Sequence, residues 1–127
     1  NVNDSTFLFW GLSFKPETDD IRESVSIKLI EEIAKNAKMI YAYDPVCMKN
    51  TKKYLSNFKN IKLIDHQYQN IKKCDALILA TEWDQFINPN LDQLNKLKSK
   101  KIFDGRNCLD ANHLKSMDFH YVGIGKN

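Results

Sequence analysis

The sequence predicts an α/β fold: a doubly wound, three-layer domain with a mostly parallel sheet and helices on both faces. Two patterns predict it. Short, near-continuous apolar runs recur along the chain, as strands buried on both faces require. Between them lie stretches with apolar residues three and four apart, the spacing of one helix face. Strands separated by helices need crossover connections, and those make the strands parallel. The length of 127 residues adds a third constraint: it suffices for one core and not for two, so residues 1–127 read as a single domain.

The elements follow in order. Thr6 to Leu12 is an apolar run ended by Gly11 and Ser13, read as the first strand. Ser24 is placed to cap a helix whose apolar positions are Ile27, Ile30, Ile33, Ala34 and Ala37. Met39 to Tyr43 is the second strand, stopped by Asp44-Pro45. Lys49 to Phe58 fits a helix, and Ile61 to Ile64 a short third strand. Tyr68 to Lys73 reads as a short helix and Asp75 to Ala80 as a central strand. Leu91, Leu94 and Leu97 give a helix from Asn90 to Lys98. Lys101 to Phe103 starts another strand, stopped at Asp104-Gly105; a short helix around Ala111 to Lys115 precedes Phe119 to Val122.

Composition narrows the function. Hydrophobic residues make up 43% and charged residues 28%, as in soluble globular chains. The net charge of +3 is mild and the lysines are scattered, which suits small anionic ligands and not nucleic acid. No apolar run is long enough to span a bilayer, and residues 1–5 carry no signal-peptide pattern. A cytoplasmic protein is expected. Cys47, Cys74 and Cys108 are odd in number and far apart, so neither a disulfide framework nor a zinc site is expected, only reduced thiols. The chain opens without a Met in a polar stretch before a strand, so a further N-terminal part is expected.

In open parallel sheets, ligands bind beyond the carboxyl ends of the strands. The segments that follow the predicted strands there are Ser13 to Arg22, Asp44-Pro45, Thr81-Glu82-Trp83 and Asp104-Gly105-Arg106-Asn107. Lys15, Arg106, Trp83 and Arg22 are the distinctive groups, and Lys15 and Arg106 would be neighbours if their strands adjoin. A lysine, an arginine and helix N-terminal amides suit phosphate oxygens. Each has an ordinary reading too. A lone loop lysine is usually solvated. Asp19 and Asp20 suit the positive end of a helix dipole better than a metal site, and Arg22 could pair with them. Trp83 could cover the sheet edge. His66, His113 and His120 lie far apart and show no base-and-nucleophile pattern. Only Gly11 stands where a dinucleotide fingerprint would need three spaced glycines, so the domain is Rossmann-like without being the main NAD site.

These residues carry a resemblance. Gly11 to Ser24 (GLSFKPETDDIRES) is similar to the G-L-x-F-K-P-x-T-D-D-x-R-E-S signature that opens the C-terminal domain of nucleotide-sugar dehydrogenases of the UDP-glucose/GDP-mannose type. Tyr43-Asp44-Pro45, Asp75-Ala76 with Thr81-Glu82-Trp83, and Asp104 to Asn107 resemble that family's later motifs, in order, over about Thr6 to Gly123. The resemblance implies that Lys15, with Phe14 beside it, contacts the nucleotide-sugar substrate, the lysine meeting its diphosphate. It implies that Arg106 reaches the substrate across a domain interface, within one chain or from a second subunit. Arg22 matches an arginine that touches NAD, and Trp83 is assigned to the pocket rim.

The family oxidises the sugar C6 alcohol to a carboxylate in two hydride transfers to NAD, through a cysteine thiohemiacetal and thioester. That cysteine and the NAD fingerprint belong to N-terminal and central regions outside these residues. None of the three cysteines matches the catalytic position, so no catalytic residue and no metal ligand is expected here. The fragment alone is expected to be inactive, binding and orienting a UDP-sugar for the rest of its own polypeptide in a homodimer or larger assembly. UDP-glucose 6-dehydrogenase fits first, because Thr81 to Trp83 and Asp104 to Asn107 lean toward UDP-glucose. A sister enzyme for a UDP-N-acetylhexosamine or GDP-mannose is the nearest rival. A phospho-receiver signalling domain is a rival from another class, but the acidic pair lies past a long loop and Arg106 stands where a Lys-Pro would be expected. A purely structural or oligomerisation domain is a third. Two departures from the family pattern stand out: Val25 replaces a common Pro, and Asn36-Ala37 replaces a glycine, so the first helix must end without a left-handed glycine cap.

Overall fold

The computed structural model describes residues 4–12, 25–46 and 48–123, the Asn50 side chain excepted. Six parallel strands form one sheet: β1 Thr6–Trp10, β2 Met39–Tyr43, β3 Ile61–Leu63, β4 Ala76–Leu79, β5 Lys101–Asp104 and β6 His120–Gly123. Their order is β3-β2-β1-β4-β5-β6, so the chain works outward from β1 in one direction, then jumps to β4 and works outward in the other. This is the doubly wound arrangement expected, and it differs from the 2-1-3-4-5 order of receiver-type sheets. The switch point lies between β1 and β4, which pair from Phe7–Ala76 to Trp10–Leu79.

The helices are α1 Val25–Ala34, α2 Met48–Leu55, α3 Asp84–Ile87, α4 Leu91–Leu94 and α5 Ala111–Ser116. Alternate strand residues feed two cores, one on each face. Phe7, Phe9, Ile40, Ala42, Ala76 and Ile78 pack with Ile27, Ile30 and Ala34 of α1 and Leu55 of α2. Leu8, Trp10, Leu77, Leu79 and Ile102 pack on the other face with Phe86 of α3, Leu94 of α4 and Leu114 of α5. Strands β1 and β4 are buried at every position, which is why they read as continuous apolar runs.

Several boundaries differ from the sequence expectation. Strand β1 ends at Trp10 because Gly11 adopts φ 102°, outside the strand region. The segment Tyr68 to Lys73 is a set of turns ending in a 3-10 turn at Ile71–Lys73, since Asn70 is left-handed at φ 63°. The helix expected from Asn90 to Lys98 stops at Leu94; beyond it the amides of Lys98 and Ser99 donate to the carbonyls of Cys74 and Asp75 and turn the chain into β5. Leu94 and Leu97 are nonetheless buried, as their spacing indicated. Helix α3 is an addition the pattern did not predict.

Helix α1 ends as its sequence demands, without a left-handed residue. Asn36 and Ala37 both donate to Ile33 O, tightening the last turn. Asn60, just before β3, donates its Nδ2 to Ala34 O at 2.7 Å and to Ala37 O at 3.0 Å. A side chain from another element thus satisfies carbonyls that a helix end leaves open. Three of the four left-handed non-glycine residues described stand at the edge opposite the carboxyl ends, each shortly before a strand: Asn70, Lys100 and Asp118, with φ of 63°, 50° and 66°; the fourth, Asn107 at φ 54°, lies in the turn that leaves β5.

Candidate functional site at the carboxyl edge

All six strands point the same way, so the segments following β1, β2, β4 and β5 share one edge. Each exit is fixed by a specific device. At β1, Gly11 donates its amide to Tyr43 O at 2.8 Å. A Cβ at Gly11 would run into the Thr81 side chain and backbone, so the β1 and β4 exits touch at the switch point only because residue 11 is glycine. At β2, the buried carboxylate of Asp44 accepts from Leu12 N at 2.9 Å and Val46 N at 2.9 Å, setting the direction in which the chain leaves β1.

Asp104 does the same work at β5. It is fully buried and accepts from the amides of Arg106 at 3.0 Å, Cys108 at 2.9 Å and Leu109 at 2.9 Å, and from the Tyr121 hydroxyl at 2.9 Å. Gly105 N donates to Leu79 O, tying this turn to β4. The turn is therefore rigid, and Arg106 projects from it.

The β4 exit is held from below. Trp10 is fully buried and stacks on Phe86 of α3, with centroids 5.1 Å apart and planes 18° apart. Its indole donates to Gln67 O at 2.8 Å, and Gln67 Nε2 donates to Gln85 O at 2.8 Å. These contacts hold Thr81-Glu82-Trp83 between β4 and an anchored α3. Glu82 Oε1 accepts from Arg106 Nε at 2.9 Å, with both side chains about half-exposed (40% and 50%). The ion pair draws the guanidinium from β5 over β4, toward the switch point.

Of the residues singled out from sequence, Arg106 and Trp83 both lie at this edge. Trp83 packs against the core beneath, and its buried Nε1, like the buried Thr81 Oγ1, has no hydrogen-bond partner among the described residues. Phe14, Lys15 and Arg22 fall in residues 13–24, outside the described residues, as do Ser24, Asp19 and Asp20. The condition set for Lys15 and Arg106 is not met: β1 and β5 do not adjoin, because β4 lies between them. The β1 and β5 exits therefore stand two strand spacings apart, about 10 Å. Three carboxylates were not among the site residues expected from sequence: Glu82, and Asp44 and Asp104, which stood only as strand stops. An Asp at a strand end followed by Pro or Gly was the available signal for the last two. Glu82 had none, since its partner is brought near only by the strand order.

Cys74 and Cys108 are free thiols. Burial pushes the Cys74 thiol up to about 12, helped by the Asp75 charge. Burial also raises Cys108 to about 12, with Asp104 and Glu82 adding to it. Both stay protonated at neutral pH and are poor nucleophiles. Among the described residues no group of three or more His, Cys, Asp or Glu side chains could hold a metal ion. Gly11 is pressed against Thr81, and the sequence has no further glycine in residues 12–24. A groove of about 650 Å³ lies between α2 and β3, lined by Met48, Lys52, Leu55, Phe58 and Leu63. It marks the flank of the outermost strand and contains none of the residues at the β4 and β5 exits. No helix among the described residues is long and apolar enough to cross a membrane.

The sequence profile of the UDP-glucose/GDP-mannose dehydrogenase family, UDP binding domain, matches residues 8–111. An uncharacterized protein of Methanocaldococcus jannaschii is 34% identical over 99% of this chain, which spans 15% of that protein. A UDP-glucose 6-dehydrogenase of Pseudomonas aeruginosa is 33% identical over 95% of the chain and 28% of its own length. The solved UDP-D-ManNAc dehydrogenase of Pyrococcus horikoshii superimposes with a TM-score of 0.77 at 25% identity, over 98% of this chain and 26% of that one. The chain thus spans well under a third of these relatives. With the sheet order, the strand-exit motifs and the profile in agreement, the chain belongs to the UDP-glucose/GDP-mannose dehydrogenase family, through its UDP binding domain.

Proposed function

We propose that this chain is the nucleotide-sugar-binding domain of a UDP-glucose 6-dehydrogenase, an NAD-dependent oxidoreductase in the cytoplasm that converts UDP-glucose to UDP-glucuronate. The observation that carries the reading is Arg106, held by a rigid turn at the carboxyl edge and drawn toward the switch point. A planar guanidinium whose terminal nitrogens have no ion-pair partner among the described residues suits diphosphate oxygens. In this reading Lys15 and Phe14 complete the substrate contact, Trp83 forms the rim, and Arg22 touches an NAD held mainly by other parts of the longer protein. The redox chemistry and the catalytic cysteine also belong there. The domain's own part is to bind and orient the UDP-sugar, in a homodimer or larger assembly.

The Pseudomonas relative supports UDP-glucose. The likeness to the UDP-D-ManNAc dehydrogenase supports a second reading, in which the same site serves a sister enzyme for a UDP-N-acetylhexosamine. Calorimetric titration with UDP, UDP-glucose and a UDP-N-acetylhexosamine, with CMP as control, tests both. UDP binding that is lost in Lys15→Ala and Arg106→Ala is the expected result, and the tighter of the two sugars decides between the readings. Failure of a longer chain that includes the remaining domains to bind UDP would sink the assignment.

A further inference from the structure

We infer that Glu82 is the positioning residue for Arg106, an inference that rests on Arg106 as the diphosphate contact. An arginine on a strand-exit turn has many rotamers, and most of them point it into solvent. Here Asp104 fixes the backbone of the turn by accepting from Arg106 N at 3.0 Å. That sets where the side chain begins and not where it ends. The end is set by Glu82, which engages the guanidinium through Nε at 2.9 Å; among the described residues the two terminal nitrogens are left for another acceptor. Glu82 is itself well placed for this. It sits between Thr81, 2% exposed beside Gly11, and Trp83, which packs on the core. Its loop is therefore no freer than the turn it steadies.

As a surface ion pair this contact would add little to stability. Its effect is directional: β5 supplies the cation, β4 supplies the tether, and the tether lies on the switch-point side. A bound phosphate then meets an arginine whose rotamer freedom is already spent, which is how preorganisation raises affinity. The interaction needs an acceptor at Nε and does not need a second negative charge near the ligand. Glutamine at position 82 keeps the acceptor and removes the charge.

The test is UDP titration of the full-length chain as wild type, Arg106→Ala, Glu82→Ala, Glu82→Gln and the double alanine variant, with melting temperatures alongside. Glu82→Ala is expected to bind UDP roughly 5- to 10-fold more weakly at an unchanged melting temperature. Glu82→Gln should retain wild-type affinity or exceed it slightly. The double variant should bind no more weakly than Arg106→Ala alone, because a tether has no effect once its target is gone. If Arg106→Ala loses binding while Glu82→Ala keeps it, the positioning role is wrong and the reading of Arg106 stands. If Glu82→Gln is as weak as Glu82→Ala, positioning through the Nε hydrogen bond is wrong. If Arg106→Ala binds like wild type, or the wild type binds no UDP, both fall together.

Discussion

Asp104 accepts from five donors with one buried side chain, three amides, the Tyr121 hydroxyl and the Cys108 thiol, and it fixes the turn from which Arg106 projects. Replacing it by alanine strands buried amides and the Tyr121 hydroxyl. Asp104→Ala is expected to cost about 3 kcal/mol in chemical denaturation, and to weaken UDP binding by releasing the turn that carries Arg106. Gly11 offers a second test of the same kind. Gly11→Ala meets both an unfavourable φ and the Thr81 backbone, so about 2 kcal/mol or more should be lost, read from the denaturation midpoint. At this scale the sequence was partly legible. Arg106 stood out because a Gly-Arg pair after an apolar run is an anion-site pattern. Glu82 did not, since an acidic residue beside a tryptophan reads as solvated until β4 and β5 are known to adjoin.

Elements whose stability is local were read well, and those held by tertiary contacts were not. Strand β2 carries its own start and stop, with apolar residues running into Asp44-Pro45. Helix α3 has four residues and is held by Phe86 lying beneath Trp10, a contact across the fold that no periodicity reports. Helix α1 shows the converse. Its missing glycine was visible, while its replacement, Asn60, was not, because the two are brought together only when β3 docks. Asn60→Ala should cost about 1 to 2 kcal/mol by leaving two carbonyls without their amide partner. Hydrogen exchange should quicken first at Asn36 and Ala37, whose amides close the last turn of α1.

The whole sheet responds to alkali through groups that burial keeps neutral. Cys74 and Cys108 titrate at about 12, and burial together with Asp104 raises Tyr121 above the ordinary phenol range. A raised folded-state value means stability is complete below the unfolded-state thiol value and lost as pH climbs toward the folded one. Unfolding free energy should therefore be flat near neutrality and fall from about pH 9 upward, and Cys74→Ala should shallow that fall. Denaturation midpoints measured from pH 7 to 11 check this. The doubly wound order itself was legible in outline, because continuous apolar runs and intervening amphipathic stretches dictate parallel strands. The position of β4 between β1 and β5 was not, and that single placement separates the β1 and β5 exits.

The left-handed turns at Asn70, Lys100 and Asp118 all stand on the edge opposite the strand exits. Two of them already carry the residue types that tolerate this conformation; Lys100 does not, and is instead held by its Nζ bond to Met117 O and its place over the Phe119 ring. A protein engineer thus has a handle remote from the strand exits. Thermal tolerance can be tuned at those corners, by glycine at 70 and 118 or by contacts around Lys100, while the carboxyl edge keeps its chemistry unchanged.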